Sequence, residues 1–338
     1  MADERVNRRG FIKKSVAASA GAALALQSFE EHNLLAQLAQ GQSDASRPAV
    51  ERNTADMPRG NIKDLSLSRI FLGGNLVGGW AHSRDLIYVS SLVKAYHTDQ
   101  KVFETLELAE ERGMNAILTN PSAGPVINRY WNERGGKVIW LSDCAAGRDV
   151  KEGARQSVEN GAHAVYVQGG IADAAVRDGK VAAIGEALEY MKQLKVPSGL
   201  GAHDLETVKA CVAAGLEPDF WVKTLHPDNY WSATPKENRK AFDVMAPNAD
   251  DHDEFHDNMF CRNPQETIEY MKGLKQPWIA FKVLAAGALH PLEAFKFAFE
   301  GGADFICVGM FDFQVRENAY IARQALSGEL KRQRPWCA

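Results

Sequence analysis

Short apolar runs recur along the chain from residue 70 onward, and a longer amphipathic stretch separates each run from the next. The unit is clearest between Pro277 and Asp312, where two continuously apolar runs flank a helical stripe that begins at Pro291. Continuous apolarity is typical of parallel strands that are covered on both faces. We count eight predicted strands: Ile70–Asn75, Ala116–Asn120, Val138–Asp143, Ala164–Gln168, Gly199–His203, Phe220–His226, Ile279–Ala286 and Phe305–Met310.

The stretches between these runs predict helices near residues 100–112, 125–134, 149–160, 174–194, 204–214, 264–273, 291–300 and 314–327. Glycines such as Gly215 and Gly301 end several of them just before the next strand. Eight strand–helix units favour α/β architecture closed into a single-domain (β/α)8 TIM barrel over residues 60–330. A doubly wound open sheet is the alternative, but no glycine-rich dinucleotide fingerprint follows the first strand.

Two connections are long, residues 76–99 after strand one and residues 227–263 after strand six. Both leave the carboxyl ends of strands, so we expect them to form walls or a lid over the barrel mouth. The second contains a run rich in histidine and carboxylates, residues 248–257. This run is interpreted either as a solvated acidic loop or as a lid that contacts a metal.

Polar side chains stand near the end of almost every predicted strand. In a barrel these positions face one mouth, and a structural barrel would not need a polar group at nearly all of them. The pattern favours an enzyme over a binding or scaffold protein. The positions are Asn75, Asn120, Asp143, Gln168, His203, Lys223, His226, Lys282 and Asp312.

Two lysines interrupt apolar strands. If Lys223 points inward, strand alternation places Trp221 inward as well and turns Val222 toward the helices. Burial of Lys223 and Lys282 would lower their pKa values, which suits imine formation or proton transfer near neutral pH. Burial in an ion pair, for example with Asp143, is the structural alternative.

A second interpretation of the mouth is a metal site. Asp143, His203 and His226 are an adequate ligand set for Zn, Mn or a similar divalent ion, with Asp204 or Asp312 as a fourth ligand. A metal there would polarise a carbonyl while a lysine moves the proton. His203 has a structural alternative, because it stands beside Asp204 at the start of a helix and would then only orient that turn.

Aromatic residues in the two long connections indicate a substrate class. Trp80, Tyr88, Tyr230 and Trp231 present flat apolar faces with polar tips, which suit the CH-rich faces of sugars. We expect Asn75, Asn120 and Gln168 to hydrogen-bond substrate hydroxyls. Core packing beneath a lid is the alternative role for the aromatics.

The last third of the chain resembles class I deoxyribose-phosphate-type aldolases. The resemblance rests on Asp219-Phe-Trp-Val-Lys-Thr224, on the second lysine strand and on Gly301-Gly-Ala-Asp-Phe-Ile-Cys-Val-Gly309. It implies that Lys223 forms an imine with the substrate and that Lys282 tunes it. Lys282 lies five residues before Gly287, which departs from the spacing of that family.

The first third is similar to the opening of aldo/keto reductases. Leu67-Ser-Arg-Ile-Phe-Leu-Gly-Gly-Asn75 and Thr105-Leu-Glu-Leu-Ala-Glu-Glu-Arg-Gly-Met-Asn115 carry this resemblance. It implies an NADP-dependent reductase as an alternative function. The Asp, Tyr and Lys that the family places after strand two and at strand three are replaced here by Leu118-Thr-Asn-Pro121 and Leu141-Ser-Asp143, so the catalytic tetrad is missing.

The net charge and the N-terminal residues indicate which partners and which cellular location to expect. A net charge of −4 gives no electrostatic basis for binding nucleic acid. Residues 7–14, Asn-Arg-Arg-Gly-Phe-Ile-Lys-Lys, precede a mildly apolar run and resemble a twin-arginine export signal. The resemblance implies handling by the twin-arginine machinery and a periplasmic location, without stable membrane insertion afterwards. We assign residues 1–30 to this signal and 31–59 to a linker or arm.

Taken together, the sequence predicts an exported barrel enzyme that performs proton-transfer chemistry on a sugar or other polyhydroxy carbonyl compound, as a lyase, isomerase or epimerase. The NADP-dependent reductase is the first alternative. A non-catalytic carbohydrate-binding barrel is the second.

Overall fold

The computed structural model describes residues 57–81, 86, 88–145, 147, 149–242 and 260–338. Eight parallel strands in it pair in chain order, and the last pairs with the first, so that they form a closed barrel. The predicted TIM barrel is therefore confirmed, and the open sheet is not formed. The barrel strands are β3 Ile70–Gly73, β4 Ala116–Thr119, β5 Ile139–Ser142, β6 Ala164–Val167, β7 Ser198–Ala202, β8 Phe220–Thr224, β9 Trp278–Phe281 and β10 Phe305–Gly309.

An antiparallel hairpin that the sequence patterns did not predict precedes the barrel. It pairs β1, Arg59–Ile62, with β2, Leu65–Ser68. Ile62 and Leu67 from this hairpin pack with the side chains that fill the barrel interior. The hairpin therefore caps the interior, and the predicted linker residues 31–56 and signal residues 1–30 lie outside the described part of the chain.

Helices cover the outside of the barrel. Those described are α1 Val89–Tyr96, α2 Asp99–Glu111, α3 Gly124–Arg134, α4 Val150–Glu159, α5 Gly169–Arg177, α6 Val181–Gln193, α7 Leu205–Ala213, α8 Pro264–Lys272, α9 Pro291–Glu300 and α10 Asp312–Ser327, with short 3-10 turns at Pro121–Ala123 and Lys236–Asn238. The predicted helix at 174–194 is two helices, because Gly179 takes a positive φ of 70° between α5 and α6. Helix α5 is consequently an additional element beside the end of β6. No described helix is long and apolar enough to cross a membrane.

Strand alternation separates two apolar layers. The interior layer includes Tyr166 and Phe220, whose ring centroids are 6.3 Å apart across β7. Gly199 on β7 leaves room for this contact, since a Cβ there would lie 2.5 Å from the Phe220 ring. Trp140 and Trp221 point the other way and pack with the helices. This alternation fixes which face each strand residue occupies.

Every barrel strand ends one or two residues before its predicted end, except β9, which ends five residues early. Strand β8 ends at Thr224, and β9 ends at Phe281. The second run stays apolar up to Ala286, but the φ angles of Lys282, Ala285 and Ala286 are 57°, 46° and 55°. These left-handed conformations are incompatible with an extended strand. Lys282 therefore lies in the turn after β9 and not within the strand.

Candidate active site

Polar side chains on or just after β5, β6, β7 and β9 lie toward the carboxyl end of the barrel. Asp143 follows β5 in phase with the interior Leu141, and Tyr166 lies on the interior face of β6. The register pairs Ser142 of β5 with Val165 of β6, so Asp143 and Tyr166 are neighbours at the next position of the two strands. Phe281 pairs with the interior Cys307 in the register of β9 and β10, and Nζ of Lys282 lies 5.8 Å from the Phe281 ring centroid.

Asp143 is a recessed carboxyl group with one hydrogen-bond partner among the described residues. The amide of Ala145 donates to its Oδ1 at 2.9 Å. Burial disfavours the carboxylate and raises the pKa of Asp143 to about 6. A carboxyl group with this pKa exchanges protons near neutral pH, as acid–base catalysis requires.

Tyr166 is a site residue that the sequence analysis missed. It is 4% exposed, and its hydroxyl has no hydrogen-bond partner within the described residues, nor is it among the fully buried unpaired atoms there. Burial is the main cause that raises the pKa of Tyr166 well above its usual value. The hydroxyl therefore stays neutral and is available to donate. The signal was present in the phase of Ala164-Val-Tyr-Val167, where Tyr166 shares the interior face of Ala164.

His203 follows β7 in phase with Gly199 and lies at the mouth. Its Nδ1 is 2.9 Å from Oδ2 of Asp173 on α5, and its ring centroid is 5.2 Å from that of Phe281. Burial is the main cause that lowers the pKa of His203, and the charges of Lys282 and Lys223 add to this lowering. Asp173 was not predicted, because the patterns began the helix only at residue 174.

Lys282 extends over an aromatic surface. Its Nζ lies 4.4 Å from the ring centroid of Phe260 and 5.8 Å from that of Phe281. Both contacts are within the range of cation–π attraction. Phe281 therefore contacts both the ammonium group of Lys282 and the ring of His203. The predicted position of Lys282 at the mouth agrees with this geometry.

Lys223 lies on the opposite face from the one predicted. Val222 belongs to the interior layer and Trp221 to the helix layer, so Lys223 points toward the helices. The side chain is 0% exposed, and its Nζ donates to the carbonyl oxygen of Thr224 at 2.9 Å and to its Oγ1 at 2.8 Å. Burial lowers the pKa of Lys223. The predicted imine role is thus not supported, because the ammonium is enclosed away from the barrel interior.

His226 is also enclosed. Its Nδ1 lies 2.7 Å from the carbonyl oxygen of Pro227, and its Nε2 accepts from the amides of Phe260 at 3.2 Å and Cys261 at 2.9 Å. Both ring nitrogens are therefore occupied, and burial lowers the pKa of His226 to about 4. This histidine fastens the chain at residues 260–261 to β8.

The predicted metal set is not assembled. Across the described residues, no group of three or more His, Cys, Asp or Glu side chains is arranged to hold a metal ion. His226 has no free nitrogen, and the suggested fourth ligands are engaged elsewhere. Asp204 accepts from the Glu206 amide and Arg262, and Asp312 accepts from Tyr96 and Lys101. The acidic run at 248–257 lies outside the described residues.

Two of the predicted substrate-binding amides are helix caps. Asn120 accepts from the amide of Ser122 at 3.0 Å, and Gln168 accepts from the amide of Ile171 at 2.9 Å. Strand-end polar residues thus partly serve the helices that follow them. Asn75 is exposed in the first long connection.

The aromatic residues predicted to bind the substrate differ in their exposure to solvent. Trp80 is 62% exposed and Trp231 is 85% exposed, whereas Tyr230 is 9% exposed with its ring centroid 5.7 Å from that of His226. Core packing therefore accounts for Tyr230. Trp80 lies close to Asn120, because a Cβ at Gly78 would meet both side chains within 3.4 Å.

Comparisons with known proteins support the fold and no finer assignment. No protein-family model matches the sequence, and no curated protein is significantly similar to it. A proposed aldo-keto reductase from Pseudomonas aeruginosa superimposes with a TM-score of 0.52 at 17% identity, covering 82% of this chain and 100% of that one. The aldolase QR15 gives a TM-score of 0.40 at 15% identity, covering 68% of this chain and 92% of that one.

A truncated 3-deoxy-D-arabino-heptulosonate 7-phosphate synthase from Thermotoga maritima gives a TM-score of 0.46 at 9% identity, covering 81% of this chain and 92% of that one. At 17% identity, the likeness to the first of these structures shows the fold alone. The reaction therefore has to be argued from the side chains at the mouth.

Proposed function

We propose that this chain is an enzyme that moves protons on a sugar or other polyhydroxy carbonyl compound, as a lyase, isomerase or epimerase. One observation carries the proposal. Asp143 and Tyr166 occupy adjacent register positions of β5 and β6, His203 follows β7 toward the same end of the barrel, and each keeps a proton-exchanging atom without a partner among the described residues. Polar atoms that have no partner within the protein and remain accessible at the carboxyl face of a barrel are available to bind a ligand.

Asp143, Tyr166, Lys282 and His203 have separate roles in the proposed reaction. Asp143 in its carboxylate form removes the proton from the carbon beside the substrate carbonyl, and the electron pair of that C–H bond moves toward the carbonyl oxygen. Tyr166 donates a hydrogen bond to this oxygen as negative charge develops, and the Lys282 ammonium adds electrostatic stabilisation. Return of the proton at the same or a neighbouring carbon gives epimerisation or isomerisation, with Asp143 or His203 as the donor.

The surroundings of the mouth suit a hydroxylated substrate. Phe260 and Phe281 supply flat apolar faces beside Lys282, and Trp80 adds an exposed indole near Asn120. The side-chain oxygens of Asn120 and Gln168 are used in capping. The side-chain amide nitrogens of the same residues would donate to substrate hydroxyls. Aromatic faces combined with amide donors recognise the CH faces and hydroxyls of sugars.

Solvent-deuterium exchange tests this proposal without knowledge of the product. The protein is incubated in D2O with a panel of aldoses, ketoses and sugar acids, and loss of the C–H signal beside each carbonyl is followed by proton NMR. We expect exchange with at least one compound and a loss of about 10²–10⁴-fold in Asp143→Asn and in Tyr166→Phe. Exchange that both variants retain would contradict the proposal. Saturable sugar binding without any exchange would instead favour the carbohydrate-binding barrel.

NADP-dependent carbonyl reduction is the second candidate. A neutral Tyr166 hydroxyl on the interior face of β6 can also protonate a carbonyl oxygen during hydride transfer, and this observation keeps the reductase alternative. Native mass spectrometry of the folded protein with added NADPH tests it. A mass increase equal to one nucleotide, followed by carbonyl-dependent loss of absorbance from NADPH, would replace the first proposal.

We infer that the chain is exported by the twin-arginine pathway before it acts. Support comes from Arg8 and Arg9 ahead of the mildly apolar run that begins at Ser15. A reporter fused after residue 59 and expressed in a bacterium should be exported with the natural sequence. It should remain in the cytoplasm when Arg8→Lys and Arg9→Lys are combined, whereas equal export of both fusions would contradict the inference.

A further inference from the structure

Helix α5 presents two residues to one face of the His203 imidazole. Gly169 and Asp173 are four residues apart, so they lie on the same side of the helix. A Cβ on Gly169 would be 3.1 Å from both Cε1 and Nδ1 of His203. The ring therefore rests against the helix where a glycine leaves space for it, one turn before the carboxyl group that binds it.

Asp173 is almost completely enclosed and is surrounded by donors. It is 1% exposed, and its oxygens accept from the backbone amide of His203 at 3.1 and 3.3 Å. The hydroxyl of Thr207 donates to Oδ1 at 2.6 Å, and the amide of Asp204 lies 3.4 Å from the same oxygen. Nδ1 of His203 adds a further contact at 2.9 Å to Oδ2.

This arrangement determines the tautomer of His203. An ionised carboxylate only accepts hydrogen bonds, so Nδ1 must carry a proton. Burial lowers the pKa of His203 and so favours the neutral ring, in which Nε2 carries the lone pair. Nε2 has no hydrogen-bond partner in the described part of the chain and is not one of its fully buried unpaired atoms. The lone pair therefore remains accessible at the mouth.

We infer that Gly169 and Asp173 are positioning residues that hold His203 in its Nδ1–H tautomer, so that Nε2 serves as the second proton acceptor of the site. The inference about catalysis rests on the proposed function, whereas the tautomer itself does not. Asp143 and the Nε2 of His203 then approach the substrate from different strands. Two acceptors on separate strands suit a reaction that removes a proton at one position and returns it at another.

The tautomer can be measured directly in the full chain. Long-range proton–nitrogen NMR of histidine-labelled protein distinguishes a nitrogen that bears a proton from one that does not. For His203 we expect a protonated Nδ1 and an unprotonated Nε2 in the natural protein at pH 8. A protonated Nε2 would overturn the inference, and this measurement needs no variant.

Asp173→Asn provides the sharper test, because an amide keeps the shape and offers only one acceptor oxygen. The oxygen should remain with the His203 amide and Thr207, and the amide NH2 should then face Nδ1. We expect His203 to change to the Nε2–H tautomer, with a loss of deuterium exchange of about 10²-fold and a smaller change in KM. Retention of the natural tautomer in Asp173→Asn would contradict the positioning role.

Thr207→Val is the matched control. It removes the shortest hydrogen bond to Asp173 without altering the carboxylate that faces Nδ1. We expect lower stability but the same His203 tautomer, and an equal tautomer change in Thr207→Val would show that Asp173 acts only through general packing. If the tautomer follows the expectation while no variant affects exchange, the positioning inference stands and the proposed function fails.

Discussion

The two ends of the barrel both carry charged clusters, but the clusters differ in how their hydrogen bonds are used. At the amino end, Arg334 donates to Asp304 at 2.7 Å and to the carbonyl oxygens of Leu274 at 2.8 Å and Gln276 at 2.6 Å. Asp304 also accepts from the amides of Trp278 at 2.9 Å and Cys337 at 2.7 Å. Each of these charges is paired and enclosed.

Aromatic stacking completes the amino-end cluster. The guanidinium of Arg69 lies 5.2 Å from the Phe305 ring centroid and 4.0 Å from that of Trp336, and Arg332 covers Trp336 at 3.4 Å. Arg69 also donates to the carbonyl oxygen of Ala338, so the C-terminal segment is attached to this end. The cluster therefore holds the C-terminal segment against the amino end of the barrel.

The carboxyl end shows the opposite arrangement. Asp143, Tyr166 and His203 each keep an atom without a partner among the described residues, and burial shifts the pKa of all three groups. The contrast shows that a polar residue at a strand end is informative only when its hydrogen bonds are counted. Clusters whose polar atoms are all hydrogen-bonded contribute stability, whereas clusters that keep unpaired polar atoms indicate a site for a ligand.

The largest effect on stability should come from the amino-end cluster. Asp304→Ala leaves Arg334 buried without its carboxylate, so we expect the free energy of unfolding to fall by about 3–5 kcal/mol. Denaturant titration measures it. Glu189→Ala, which breaks an exposed ion pair with Lys192, is the control and should change the value by less than about 0.5 kcal/mol. Equal losses of unfolding free energy in the two variants would mean that the amino-end cluster does not stabilise the fold.

His226→Leu should have the next largest effect. It removes the acceptor for the amides of Phe260 and Cys261, so we expect a loss of about 2–4 kcal/mol at pH 8. Denaturant titration at several pH values adds a second test. The folded-state pKa of about 4 lies below the ordinary value of 6.5, so the unfolded chain binds the proton first.

The stabilisation due to the neutral His226 is therefore complete above pH 6.5 and is lost as the pH falls from 6.5 through 4. The natural protein should lose on the order of 3 kcal/mol over this interval from this group, and His226→Leu should lack that component. The difference between the two pH profiles isolates the histidine. Parallel profiles would show that His226 does not titrate as its enclosure requires.

Asp143→Asn should change stability in the opposite direction. The folded-state pKa of Asp143, about 6, lies above the ordinary value of 3.8, so the folded protein binds the proton more tightly. Stability from this group is present below pH 3.8 and declines as the pH rises through 6. We therefore expect Asp143→Asn to be more stable than the natural protein at pH 7, by about 1–3 kcal/mol.

The same variant should show no such gain at pH 4, where Asp143 is protonated in the folded protein. Urea titrations at the two pH values make the comparison. A gain at pH 7 together with loss of deuterium exchange is the combination typical of a residue retained for function. A large loss of stability at pH 7 would instead show that Asp143, like Asp304, has a structural role.

Lys223→Met should have the smallest effect. The substitution replaces an enclosed ammonium with an apolar side chain of similar length, so we expect the free energy of unfolding to change by less than about 1 kcal/mol. Deuterium exchange should remain within about twofold, whereas Lys282→Met should reduce it at least tenfold. Borohydride trapping on Lys223 by any sugar would contradict this assignment and restore the imine hypothesis.

The fold was predictable to the extent that burial leaves a trace in the sequence. Parallel barrel strands are covered on both faces, so their apolar runs identify all eight, from Ile70 to Phe305. The ends were less predictable, because the apolar run through Ala286 does not reveal the left-handed turn at Lys282. The hairpin at residues 59–68 escaped detection because its strands, Arg-Gly-Asn-Ile62 and Leu-Ser-Leu-Ser68, contain no continuous apolar run.

The site was predictable only in part. Asp143 and His203 were selected because they end apolar runs, and Lys282 because it interrupts one. The same reasoning also selected His226, whose partners come from residues 260 and 261. Lys223 was misplaced because a one-residue error in phase reverses the face of a strand. Tyr166 was hidden by its apolar ring, and Asp173 acts across 30 positions of sequence on His203.

The most direct test of the contrast between the two ends measures two properties on two variants. Unfolding free energy and sugar deuterium exchange are determined for Tyr166→Phe and Asp304→Ala at pH 7. We predict that Tyr166→Phe keeps its stability within about 1 kcal/mol and loses exchange by about 10²–10⁴-fold, because its hydroxyl supports no described contact. Asp304→Ala should lose stability while its folded fraction retains exchange. Intact exchange in Tyr166→Phe would contradict the assignment of the carboxyl end as the active site.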